Sequence, residues 1–235
     1  MLRPDLIAWR EVRDAWTRAG RPHAQRWADK IRDEYMLIHA IVSGSRVNGP
    51  GLRAVVYLQG CTVGCRSCWN PQTHPFSGEE RTIETVAANV LSAHRERPLE
   101  GVTFSGGEPM QQADELLALM KSIHYRLPAL SFGIYSGYAG QELADGSYWC
   151  RTEPTKVVRQ EIWQSIRRRL DFAVLGRYVA ERPSALALRT SANQRLEIFS
   201  DRYREKDFKP QEIEVQICEN GLVQVTGFPV AGAPV

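Results

Sequence analysis

A chain of 235 residues with 43% hydrophobic and 24% charged positions has enough apolar material to bury one sizeable core. Its net charge of +3 is too small to argue by itself for nucleic acid, and no apolar run approaches the ~20 residues of a membrane-spanning helix. Five cysteines, three of them within eight residues, do not read as a secreted disulfide framework; with no apolar signal core in Met1-Leu2-Arg3-Pro4-Asp5, a cytoplasmic and reducing setting is expected.

Residues 1–35 read as an N-terminal helical extension. Trp27, Ile31 and Tyr35 recur every four residues and Val12 with Trp16 repeats the spacing, while Arg10, Arg13, Arg18, Arg26 and Lys30 occupy other faces. Such basic helices suit either a cap on the domain edge or a docking arm for a protein or RNA. Residues 36–228 form the expected main domain and 229–235 a C-terminal tail.

Within that domain Met36 to Val42 is an apolar strand, Ser43 to Gly51 a connecting loop, and Arg53 to Leu58 a short buried strand. Glu79 to Glu96 reads as a helix with Ile83, Val86, Ala87, Val90 and Leu91 on one stripe. Val102-Thr103-Phe104 is the next strand, and a helix carrying Leu116, Leu117, Leu119 and Met120 starts at Pro109. Leu130 to Ser136 is a strand, Thr155 to Arg169 a helix, and Asp171 to Leu175 a strand. Leu186 to Arg189 and Leu196 to Phe199 are expected as late strands, and Asn220-Gly221 between two alternating apolar runs signals a C-terminal β-hairpin. The alternation of strand and helix argues an α/β fold with a mostly parallel sheet, in too few units for a closed eightfold barrel.

The second strand delivers Gln59-Gly60-Cys61-Thr62-Val63-Gly64-Cys65-Arg66-Ser67-Cys68-Trp69-Asn70, which spaces three cysteines as C-x3-C-x2-C. Gly60 and Gly64 let the backbone fold back and bring the sulfurs toward one point. Three thiolates leave a metal site one ligand short. A structural zinc would take a fourth protein ligand, and His74 and Cys150 are the candidates. A four-iron cluster, normally held by four cysteines, would keep one iron open to an outside molecule. The lone Cys150 and Cys218 otherwise read as inert thiols.

C-x3-C-x2-C after an apolar strand resembles the radical S-adenosylmethionine (SAM) enzymes. The longer string Val47-Asn48-Gly49-Pro50-Gly51-Leu52-Arg53, Gln59-Gly60-Cys61 and Cys68-Trp69-Asn70-Pro71-Gln72-Thr73-His74 is similar to the activating enzymes of glycyl radical proteins, nearest in type to the anaerobic ribonucleotide reductase activases. Gly101-Val102-Thr103-Phe104-Ser105-Gly106-Gly107-Glu108-Pro109 resembles that family's strand and SAM-binding turn. The resemblance covers roughly residues 46–228. It implies an open partial (β/α) barrel, a [4Fe-4S] cluster on Cys61, Cys65 and Cys68, and SAM held by Gly106, Gly107 and Glu108. Ser136, Trp69 and Asn193, with Gln194 beside it, are further SAM contacts by the same resemblance. It implies as partners a protein substrate, such as an anaerobic ribonucleotide reductase, and a one-electron donor such as flavodoxin or ferredoxin. The competing roles are ordinary: helix N-terminal stabilisation for Glu108, core packing for Trp69, and strand-end capping for Asn193. Leu175 stands where the activases commonly have an acidic residue, and Ser67 where many radical SAM enzymes have an aromatic.

Overall fold

A computed structural model describes residues 34–210, 212–217, 221 and 223–228. The helices expected before residue 34, Cys218 and the tail from residue 229 lie outside the described residues. Tyr35, expected to close the helical stripe, instead begins β1 (Tyr35–Ser45).

Seven strands form one sheet in the order β3-β1-β2-β4-β5-β6-β7. Its centre is parallel: β2 (Arg53–Leu58), β4 (Gly101–Gly106), β5 (Ser131–Ser136) and β6 (Phe172–Leu175). These short runs, rich in Val, Phe and Ile, are buried along nearly their whole length, as parallel strands covered on both faces must be. The rims are antiparallel: β1 lies against β2, β3 (Glu79–Thr82) against β1, and β7 (Arg195–Ile198) against β6.

Helices α1 (Ile83–Glu96), α2 (Ala113–Arg126), α3 (Gly140–Ala144) and α4 (Lys156–Arg167) fill the crossovers. Their apolar stripes, with Val86, Val90, Leu116, Leu119, Ile123 and Ile166, close over Ala54, Val56, Val102, Phe104 and Ile134 of the sheet. Alternation along β6 sends Ala173 and Leu175 into that core, and Phe172 and Val174 into a second cluster with Leu188, Tyr203 and Phe208. The second cluster therefore covers the opposite face of the sheet.

Two elements differ from the sequence reading for local reasons. Residues 79–82 pair with Tyr35–Ile38 as a charged edge strand, and the helix starts only after Thr82, whose Oγ1 accepts the Thr85 N–H at 3.1 Å. Leu186 to Arg189 is a turn rather than a strand, with Leu188 at φ 58°. The C-terminal hairpin is present as β8 (Ile213–Ile217) and β9 (Val223–Gly227), antiparallel around a Gly221 at φ 79°. It forms a separate two-stranded sheet, tied on by Asn48 Nδ2 donating to Thr226 Oγ1 (2.7 Å) and by a Tyr57–Thr226 hydroxyl contact.

Candidate active site

The three parallel strands β2, β4 and β5 end side by side, and the loops that leave them build one wall. Gly107 N–H donates to Leu58 O (2.8 Å) and Glu108 N–H to Gly60 O (2.9 Å), so the turn after β4 is stitched to the start of the cysteine loop. A Cβ on Gly106 would come within 2.5 Å of Leu58 backbone atoms, and one on Gly107 would overlap the Gly60 carbonyl oxygen. The close approach that demands glycine here is to the neighbouring loop.

The cysteine loop returns on itself through residues 70–74. Gly60 N–H donates to Thr73 O (2.7 Å) and Cys61 N–H to His74 O (2.9 Å). Gln59 Nε2 donates to the carbonyls of Gln72 (3.1 Å) and Pro75 (2.8 Å), and the Phe76 ring lies against Gly60, which holds φ 105°. Gln111 braces the loop from below, its Oε1 accepting Thr62 N–H at 2.9 Å and its Nε2 donating to Thr62 Oγ1 at 2.7 Å.

Cys61, Cys65 and Cys68 are half-buried and line one open cavity. Its walls also carry Trp69, His74, Gly106, Gly107, Glu108, Ser136, Gln194 and Phe228. Burial pushes the Cys61 thiol up to about 11, with the nearby Glu108 carboxylate adding to the shift and the Val63 and Gly64 N–H groups opposing it. Cys65 is raised for the same reason, opposed by the Tyr178 N–H. Asn70 N–H donates to Cys68 Sγ at 3.4 Å. Each sulfur therefore faces at least one backbone donor suited to a thiolate.

These residues fit a four-iron cluster better than one ion. No group of three or more His, Cys, Asp or Glu among the described residues closes on a single metal position, whereas a cubane takes each cysteine on a different iron. Cys150 is excluded as a fourth ligand, because it is 1% exposed in the hydrophobic core with Sγ against Thr152 Oγ1 at 3.3 Å.

Glu108 is buried on the cavity wall. Its Oε1 accepts Met110 N–H (2.9 Å) and the Ser136 hydroxyl (2.8 Å), and its Oε2 accepts Gly137 N–H (2.6 Å). The side chain thus caps the short helix at Pro109–Gln112 and also ties the ends of β4 and β5 together. Desolvation raises it to about 7, against these hydrogen bonds. Trp69 is 43% exposed at the mouth, edge-on to Phe228 at 6.5 Å, which rules out the core-packing role. Phe228 in turn lies 6.3 Å from Tyr135. Nothing in the sequence marked Phe228, because it reaches the site only through the hairpin.

Asn193 is not brought to the cavity wall: its Nδ2 donates to Arg177 O at 2.8 Å, which is capping. Its neighbour Gln194 is on the wall, with Oε1 accepting Thr190 and Ser191 N–H and Nε2 donating to Gly176 O. Leu175 is 2% exposed in the core beneath the site, so it offers no polar contact there.

A family model described as a 4Fe-4S single cluster domain matches residues 47–197. The chain is similar to a pyruvate formate-lyase-activating enzyme of Clostridium pasteurianum, 38% identical over 43% of this chain and 45% of that one. It is similar to the anaerobic ribonucleoside-triphosphate reductase-activating proteins of Salmonella typhi (32% identical; 41% of this chain, 66% of that one) and Vibrio cholerae (26%; 66% and 92%). The chain spans about half the length of the first of these and about two thirds of the second. The family match runs over more than half of the sequence and encloses the cysteine loop, the glycine turn and Ser136, and the chain belongs to the 4Fe-4S single cluster domain family.

Proposed function

We propose that the chain is a radical SAM enzyme of the glycyl radical activase type, an oxidoreductase. Its open partial (β/α) barrel takes in residues 36–228 together with Tyr35, which begins β1, with the residues before 35 an extension and residues 229–235 a tail. The observation that carries this reading is one cavity, at the C-terminal ends of parallel strands, lined by Cys61, Cys65, Cys68, Gly106, Gly107, Glu108 and Ser136 together.

Bound together, a [4Fe-4S] cluster and SAM supply a one-electron reductive cleavage that yields methionine and a 5′-deoxyadenosyl radical. Cys61, Cys65 and Cys68 would hold three irons and leave the fourth without a protein ligand. The Glu108 carboxylate and the carbonyls of the Gly106-Gly107 turn are acceptors suited to the SAM amino group. Ser136 fixes that carboxylate through its 2.8 Å hydrogen bond, and Trp69 with Phe228 offers an aromatic flank for the adenine. Asn193 acts one step removed, by holding the Arg177 backbone.

The open mouth suits a protein substrate, and relatives named as activating proteins support a glycyl radical partner of the anaerobic ribonucleotide reductase type. A flavodoxin or ferredoxin would supply the electron from outside the chain. Loss of a hydrogen atom from a glycine Cα of such a partner would account for both expected products, 5′-deoxyadenosine and a glycyl radical. The test is anaerobic turnover of the cluster-loaded chain with dithionite and SAM, followed by addition of a candidate reductase. The expected results are 5′-deoxyadenosine and then a glycyl radical EPR doublet. Absence of 5′-deoxyadenosine from cluster-replete protein would overturn the enzyme class; 5′-deoxyadenosine without a doublet would overturn the partner.

A further inference from the structure

Among the cavity-lining residues, two buried polar atoms have no hydrogen-bond partner: His74 Nε2 and Tyr135 Oη. Buried polar groups are nearly always paired, so an unpaired one on a residue that lines the cavity calls for a functional explanation. The two orphans sit on different walls. Tyr135 belongs to β5, next to Ser136 and the turn that would take SAM. His74 belongs to the cysteine loop itself: its carbonyl accepts the Cys61 N–H at 2.9 Å and its N–H donates to Pro71 O at 3.1 Å. Its neighbour Thr73 accepts the Gly60 N–H at 2.7 Å. The ring is therefore carried by the same rigid return that positions the first cysteine.

Resting on the activase reading above, we propose that His74 is a hydrogen-bond donor to the iron–sulfur cluster, its Nε2–H directed at cluster sulfur and raising the reduction potential. The cluster with its three thiolates would bring net negative charge, larger when reduced, into a site whose other donors are the backbone N–H groups of Val63, Gly64, Tyr178 and Asn70. Hydrogen bonds to cluster sulfur favour the more negative, reduced state and are among the levers that set cluster potentials. A zinc-ligand role for the same nitrogen would require the thiols to close on one ion with it, and no such group is present among the described residues.

The test compares wild type, His74→Phe and His74→Gln, each loaded with cluster under anaerobic conditions and titrated by EPR without SAM. The proposal expects full iron and sulfide in all three. It also expects His74→Phe to show about a tenfold lower ratio of reduced to oxidised cluster at a fixed potential, ~59 mV for one electron, with His74→Gln, which keeps an N–H donor, lying between. Equal potentials in all three would overturn it. So would a weaker affinity for SAM with the SAM-free potential unmoved, which would make His74 a SAM contact. Loss of the cluster in both variants would overturn it too, by making His74 a ligand or a structural prop. Failure of wild type to load a four-iron cluster would instead sink the activase reading, a result separable from all of these.

Discussion

The two ends of the same parallel strands differ in how completely their buried polar groups are answered. At the N-terminal ends Arg53 is fully buried, yet every direction is answered. Its guanidinium donates to Thr103 Oγ1 (2.7 Å), Ser131 Oγ (2.8 Å), Val102 O (3.0 Å), Pro50 O (3.2 Å) and Ser131 O (3.2 Å), and it lies 5.0 Å from the Phe172 ring centroid. The Tyr203 hydroxyl, 2.7 Å from both Ser131 Oγ and Glu100 Oε1, closes the knot. At the C-terminal ends, His74 Nε2 and Tyr135 Oη are buried and unanswered, and two thiols are held above their ordinary pKa. The saturated end stabilises the fold, whereas the unsaturated end stays open to a ligand at some cost in stability.

Removing Arg53 should therefore have the largest effect on stability. Arg53→Met takes a donor from Thr103 Oγ1, Ser131 Oγ and the carbonyls of Pro50, Val102 and Ser131 in the interior, and a loss of ~3 kcal/mol or more in urea unfolding is expected. The iron bound per folded chain should not change; a parallel loss of iron would mean that the two ends are not separable.

Glu108 gives the next effect, and it depends on pH. Its folded value of about 7 lies above the ordinary 4.5, so the folded chain binds the extra proton between those limits. Stability of the iron-free chain should fall as pH rises through that window, by on the order of 3 kcal/mol. Denaturation of Glu108→Gln across the same range should lack this slope, and an identical slope would assign it to another group. Gly107→Ala should cost ~1–3 kcal/mol by forcing the turn away from Gly60, with a drop in iron content that Arg53→Met does not show. Smallest of all, Tyr135→Phe should change the melting point of the iron-free chain by the equivalent of under ~1 kcal/mol, toward higher stability. A marked destabilisation would mean the hydroxyl is answered within the fold.

The same contrast explains what the sequence made legible. The cysteine loop could be read because its parts lie within a dozen residues, and β2 because its six residues form an uninterrupted buried run. The hairpin was visible in Asn220-Gly221. Arg53 carried no such signal, since its partners come from Thr103, Ser131 and Tyr203, 50 to 150 residues away. The edge strand Glu79–Thr82 was hidden because charged residues at an exposed rim satisfy helix and strand patterns alike. Leu186 to Arg189 misled for the opposite reason: its alternating leucines serve a turn whose Leu188 plugs the second cluster. Asn193 and Gln194 could be told apart only once the turn had placed one on the Arg177 backbone and the other along the cavity wall.

The most direct test of the account is iron and acid-labile sulfide per chain, after anaerobic reconstitution, in wild type and in Cys61→Ala, Cys65→Ala and Cys68→Ala. About four of each are expected in wild type, with loss of the cluster in every variant. A single zinc with no sulfide in wild type, or a full cluster surviving any one replacement, would contradict it.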